Sequence, residues 1–138
     1  MNLYSPEILE HSREPHGTGV LSDVTHELMQ HNPICGDRVQ WQLSFISKGL
    51  RMRHQSKGCA LCKASASVLY EQLNGENIEM MVEAIQQFQK DLEQIIHGEP
   101  LPEHRPATLF MGLCTAPSRQ SCVWLPWDTL SKLLLQVY

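Results

Sequence analysis

A chain of 138 residues can bury one hydrophobic core without disulfides or a structural metal, so a single domain spanning 1–138 is expected. The hydrophobic fraction of 42% and charged fraction of 19% are globular values, and a net charge of -4 with scattered Lys and Arg excludes the clustered basic footprint of a nucleic-acid binder. Neither a basic-then-apolar leader nor a run of about eighteen apolar residues occurs, so no membrane association and a cytoplasmic location are expected.

In chain order, Tyr4 to His11 reads as a short helix that stops before the turn-rich Glu14-Pro15-His16-Gly17-Thr18-Gly19. Apolar and polar residues alternate over His26–His31 and again over Arg38–Ile46, which predicts strands with Val39, Trp41, Leu43 and Phe45 on one face. A compact turn at Lys48-Gly49 and a weaker alternation over Leu50 to Ser56 complete a hairpin that runs directly into Gly58-Cys59. Past Cys59, Ala60, Ala64, Ser67, Val68 and Leu73 predict a helix of small residues ending near Asn74-Gly75. Asn77 can cap a further helix to about His97, with Ile78, Met81, Ile85, Phe88, Leu92 and Ile95 or Ile96 toward the core, before Gly98-Glu99-Pro100 breaks it. A polar connector from Pro100 to Pro106 leads to a short helix, Ala107 to Leu113. The last helix is expected from Cys122 or Val123 to Val137, with Trp124, Trp127, Leu130 and Leu134 as its buried stripe. Strands followed by helices imply an α+β fold.

Five cysteines cannot all pair within one chain, and a domain of this size needs no disulfide staples, so reduced thiols are expected. Three of them have the flanks of ligand loops. Cys35-Gly36-Asp37 follows Pro33 between two strands, where a turn can aim a thiolate and a carboxylate at one ion. Cys59 lies at a strand-to-helix junction and Cys122 at the start of the last helix, positions where free amides and the helix dipole favour a thiolate. Three thiolates and a carboxylate on a divalent ion carry a surplus of negative charge that Arg119, Lys57 or Arg38 can offset. Asp37 is a harder ligand than a fourth cysteine and would loosen retention of a soft cargo. A closed structural zinc site would use the same ligands. Cys62, one helical turn after Cys59, is either a small apolar core residue or the partner in a Cys59-Ala60-Leu61-Cys62 thiol-disulfide oxidoreductase, although the βαβ context of that chemistry is missing. Nothing distinguishes Cys114. The seven histidines lack zincin spacing, and His54 and His104 read as ordinary packing or surface residues.

Glu7-Ile8-Leu9-Glu10-His11, Pro15-His16-Gly17-Thr18-Gly19, Asn32-Pro33-Ile34-Cys35-Gly36-Asp37-Arg38, Gly58-Cys59 with Ala64-Ser65-Ala66-Ser67, and Pro117-Ser118-Arg119-Gln120-Ser121-Cys122 together resemble the NifU N-terminal family of iron-sulfur cluster assembly scaffold proteins. The long interval between Cys59 and Cys122 is similar to the SufU branch rather than to IscU. The resemblance implies a small antiparallel sheet of about three strands backed by helices, and a site formed by Cys35, Asp37, Cys59 and Cys122. It further implies either a transient 2Fe-2S cluster, built from iron and sulfur, or Zn²⁺ with Cys35 as acceptor of persulfide sulfur from a SufS- or IscS-like cysteine desulfurase. Apo iron-sulfur proteins or carriers are the implied recipients, and the chain is then a scaffold or sulfur carrier rather than a catalyst. Ser121 stands where IscU proteins have histidine and SufU proteins commonly lysine, and Thr115-Ala116-Pro117-Ser118-Arg119 replaces the Leu-Pro-Pro-Val-Lys type of chaperone-recognition motif.

Overall fold

The computed structural model describes residues 2–46 and 49–137. Its order is α1 (Pro6–Arg13), β1 (His26–His31), β2 (Arg38–Ile46), β3 (Gly49–Lys57), α2 (Ala60–Leu73), α3 (Ile78–Ile96), two 3₁₀ segments (Pro106–Thr115 and Pro117–Arg119) and α4 (Gln120–Val137). The three strands form one antiparallel sheet in the order β1-β2-β3, and helices pack on it, which is the expected α+β fold. Lys48 of the expected Lys48-Gly49 turn lies outside the described residues.

Alternation decides which face of the sheet is buried. Val39, Trp41 and Leu43 of β2 and Leu50, Met52 and His54 of β3 are all buried on the helix-covered side. Phe45 lies on the same face but at the far end of β2, where it is 49% exposed and sets its ring T-shaped to His26. The α4 helix covers β1 and β2, while α2 covers β3. The Trp41 Nε1–H donates to the Pro126 carbonyl at 2.9 Å, tying the middle strand to α4 at the proline inside that helix.

Small side chains make α2 the centre of the molecule, because Ala64, Ser65, Ala66 and Ser67 let α1 and α4 approach its backbone closely. The α3 helix starts as expected: the Asn77 side chain accepts from the Met80 N–H at 2.9 Å. It buries Met81, Ile85, Phe88, Leu92 and Ile95, and Phe88 stacks on Trp127 of α4 with ring centroids 3.7 Å apart.

Elsewhere local chemistry shifts the boundaries. Ser5 caps α1 and Pro6 occupies its first turn, so α1 begins two residues after Tyr4 and runs to Arg13. The expected helix Ala107 to Leu113 is a 3₁₀ segment with Phe110 at non-helical angles. The connector before it is anchored by a buried ion pair that period counting misses: Arg105 Nη1 donates to both Asp91 carboxylate oxygens at 2.9 and 3.0 Å. The α4 helix starts at Gln120, two residues before Cys122, and Trp124 of its expected stripe is only partly buried, whereas Trp127, Leu130 and Leu134 are fully so.

His54 is a packing residue with a fixed tautomer. Its Nε2 donates to the His16 carbonyl at 2.7 Å, so Nδ1 is left to accept from the Ser56 hydroxyl at 2.8 Å. Burial holds its pKa below the ordinary value, against the opposing pull of the His16 carbonyl. The neutral ring therefore contributes fully above the unfolded pKa of about 6.5, and that contribution is lost as pH falls from there toward the lower folded value. Urea midpoints measured against pH are expected to fall below about pH 6.5, and His54→Gln is expected to flatten that slope; an equal slope in both proteins would exclude this assignment.

Candidate metal centre

Strand register delivers the carboxylate to the cysteine. Arg38 at the start of β2 pairs with Lys57 at the end of β3, so Asp37 and Gly58, one residue beyond each, lie side by side. Asp37 is fully buried, and its Oδ1 accepts from the Cys59 backbone N–H at 2.9 Å. Cys59 is the N-cap of α2 but makes no side-chain cap, so its thiol is free of the helix it starts. The other carboxylate oxygen, Oδ2, accepts from the Cys35 thiol at 2.9 Å and from the Cys59 thiol at 3.6 Å. Cys122 Sγ lies 3.4 Å from Cys35 Sγ, and one ligand atom each from Cys35, Asp37 and Cys122 falls within 4.8 Å of the others. Thiols from positions 35, 59 and 122 thus surround one carboxylate.

Two glycines permit this arrangement. Gly36 has φ +73 with open space at its side-chain position, so it is needed for backbone shape alone. Gly58 has φ +128, and a Cβ there would lie 2.2 Å from Asp37 Oδ1 and 2.8 Å from Asp37 Cα.

The Cys35 turn is held by Asn32, to which sequence reasoning assigned no role. Asn32 is buried; its backbone N–H donates to the Asp37 carbonyl at 2.8 Å, and its carbonyl accepts from the Gly36 N–H at 2.8 Å. Its side-chain oxygen accepts from the Ile34 N–H at 3.0 Å, and its amide donates to the Ser121 hydroxyl at 2.9 Å. One side chain therefore shapes the turn bearing Cys35 and docks it onto the residue before Cys122. The Asn-Pro pair is the signal that marks such a turn.

Electrostatics follow the geometry. Burial pushes the Asp37 pKa up, but hydrogen bonds from the Cys35 thiol, the Cys59 N–H and the Cys122 and Cys59 thiols outweigh it and hold the carboxyl below its ordinary value. Burial, then the contacts with Asp37 and Cys35, push the Cys122 thiol well up, with Arg119 pulling the other way. Among Arg38, Lys57 and Arg119, it is Arg119 that lies against the thiols of Cys122 and Cys59, which strengthen its hold on its proton. Arg38 and Lys57 are exposed. Cys62 is buried in the core, and burial first, then the neighbouring Asp37 and cysteine charges, push its thiol far up, which opposes the thiolate that a Cys59/Cys62 redox pair would use. Cys114 is partly exposed and belongs to no cluster of metal-ligating groups among the described residues.

The fold and this clustering define the class: the chain belongs to the NifU-like N terminal domain family, whose pattern it matches over residues 3–117. Among individual proteins it is 27% identical to the zinc-dependent sulfurtransferase SufU of Bacillus subtilis, an alignment covering 94% of this chain and 88% of that one. It is 28% identical to the iron-sulfur cluster assembly scaffold protein IscU of Thermotoga maritima, over 98% of this chain and 94% of that one. The crystal structure of the N-terminal part of a nitrogen-fixing NifU-like protein from Brucella abortus superposes with a TM-score of 0.81 at 22% identity, covering 98% of this chain and 94% of that one.

Proposed function

We propose that this protein is an iron-sulfur cluster assembly scaffold that accepts sulfur on Cys35 and holds a metal at Cys35, Asp37, Cys59 and Cys122. The observation that carries the reading is the graded exposure of three thiols around one carboxylate: Cys35 is exposed, Cys59 intermediate and Cys122 buried. A donor set of three sulfurs and one oxygen suits Zn²⁺, and the same sulfurs suit iron or a 2Fe-2S cluster carried as cargo. The Arg119 cation beside Cys122 and Cys59 offsets the negative charge such a set leaves. Bound there, Zn²⁺ would favour the thiolate forms that burial otherwise disfavours.

Sulfur transfer needs one nucleophile that a partner can reach, and Cys35 meets that need on a turn beside Ile34, which is 89% exposed. The Cys35 thiolate attacks the outer sulfur of a cysteine desulfurase persulfide. A sulfur–sulfur bond forms at Cys35, the bond in the partner's persulfide breaks, and the partner's cysteine leaves as a thiolate, with no net oxidation. In the metal-free protein Asp37 Oδ2 accepts from the Cys35 thiol at 2.9 Å, which fixes where that thiol points. Apo iron-sulfur proteins or carriers then receive the assembled cargo.

The test is incubation of the zinc-loaded protein with a cysteine desulfurase and cysteine, followed by peptide mass spectrometry and measurement of desulfurase turnover. Sulfane sulfur is expected on Cys35, with turnover raised by the protein and not by Cys35→Ser. Sulfur found on Cys62 or Cys114, or turnover unchanged by the wild-type protein, would rule the reading out.

A further inference from the structure

A second group of ligand-type side chains shares no residue with the thiol cluster. His11 from α1, His16 from the loop that follows and Glu71 from α2 each place one ligand atom within 4.8 Å of the others. His11 Nε2 is 3.4 Å and His16 Nδ1 3.3 Å from the same carboxylate oxygen, Glu71 Oε1. The two rings are tilted by 57° with centroids 5.2 Å apart, so their nitrogens converge on the carboxylate instead of stacking away from it.

Beneath them the fully buried Ser67 organises both histidines. Its Oγ accepts from the His16 backbone N–H at 2.8 Å and lies 2.7 Å from His11 Nδ1. A hydroxyl can either give or take a proton in that second contact. With Nδ1–H donating to Ser67, His11 Nε2 keeps its lone pair toward Glu71, which is the arrangement that a hydrogen-bond acceptor on the other ring nitrogen imposes on ligating histidines. Above the three groups is a concavity of about 200 Å³ that Glu7 and Glu10 also line, with room for water or a further carboxylate oxygen.

We propose that His11, His16 and Glu71 form a second divalent-metal site, independent of the cysteines. Two imidazole nitrogens and one carboxylate oxygen with an open position suit Zn²⁺ and neighbouring first-row divalent cations. The site would clip α1 and its following loop to α2, and it would stabilise the fold by an amount that rises with the logarithm of free metal once metal exceeds its dissociation constant, since the three ligands assemble only in the native chain. Metal counts on the purified protein would then include an ion that has no part in sulfur chemistry.

Cobalt separates the two sites, because thiolate ligands give Co²⁺ an intense charge-transfer band that imidazole and carboxylate do not. The wild-type protein and a His16→Gln/Glu71→Gln variant are titrated with Co²⁺. Both replaced side chains are substantially exposed, at 55% and 44%, so the fold should tolerate their change. The wild-type is expected to bind one equivalent more than the variant, and that equivalent is expected to lack the thiolate band. The difference is readable whether or not the cysteines fill. In the wild-type protein the same equivalent is expected to shift the ring-proton resonances of His11 and His16 paramagnetically. Equal stoichiometry in a folded variant, a thiolate band on the extra equivalent, or unshifted His11 and His16 resonances would each overturn the proposal.

Discussion

With the cysteine cluster as the proposed metal site, Cys122→Ala is expected to weaken zinc binding there about 10²-fold while leaving the fold standing. Zinc binding by four protein ligands is worth about 10–16 kcal/mol in small zinc domains, so one ligand accounts for roughly 3 kcal/mol, or about 10²-fold in affinity. Cys122 is 1% exposed at the first turn of α4, and nothing from solvent can replace its sulfur without opening that turn. Removing one buried sulfur costs far less in folding, on the order of 1 kcal/mol. Competition with a chelator should therefore show a loss of about 10²-fold or more in zinc affinity, with a thermal midpoint in the absence of metal close to wild-type. Cys62→Ala and Cys114→Ala are expected to leave zinc affinity unchanged. Unchanged affinity in Cys122→Ala, or a loss in Cys62→Ala as large, would mean that the ligand set is wrong.

Gly58→Ala is expected to damage the same site through the backbone. An L residue at φ +128 is strained by about 1–3 kcal/mol, and the added Cβ would sit on Asp37 Oδ1. The carboxylate would have to leave the Cys59 N–H, giving up a charge-assisted hydrogen bond worth about 1.5–3 kcal/mol. Together these amount to a loss of roughly 2.5–6 kcal/mol in the metal-free protein, with weaker zinc binding because Asp37 no longer faces the thiols. Gly36→Ala is the control. Its φ of +73 is also unfavourable, but no atom lies within 4 Å of the added methyl, so only about 1–2 kcal/mol is at stake. Urea denaturation of both variants in chelator should separate them by about 2 kcal/mol; equal losses would show that the approach of Gly58 to Asp37 is not constrained.

Much of this architecture is legible in the sequence, for identifiable reasons. Strict alternation over Arg38–Ile46 and an apolar stripe from Met81 to Ile95 set β2 and α3, because each side chain reports the face it occupies. Phe45 is the exception, since alternation cannot say where the covering helices stop. The starts of α1 and α4 shift by two residues because Ser5-Pro6 and the 3₁₀ turn Pro117–Arg119 set the entry of those helices rather than the apolar period. The Ala107 to Leu113 stretch has helical spacing but settles into 3₁₀ turns.

The site divides in the same way. The cysteine motifs point to Cys35, Asp37, Cys59 and Cys122, and placing Arg119 three residues before Cys122 suggests its charge. What links these elements is contact across the chain, and that is not written in local spacing. Asn32 reaches Ser121 over 89 residues, and the buried Asp91 of α3 is met by Arg105 as the chain returns. His11, His16 and Glu71 have no motif spacing at all; tertiary packing of α1 on α2 brings them together.

Zinc-edge X-ray absorption of the His16→Gln protein carrying one equivalent of zinc tests the ligand assignment most directly, since that substitution removes a ligand of the second site. Three sulfurs at about 2.3 Å and one oxygen at about 2.0 Å are the expected shell. A shell with four sulfurs, or one dominated by nitrogen and oxygen, would contradict a metal held by Cys35, Cys59, Cys122 and Asp37.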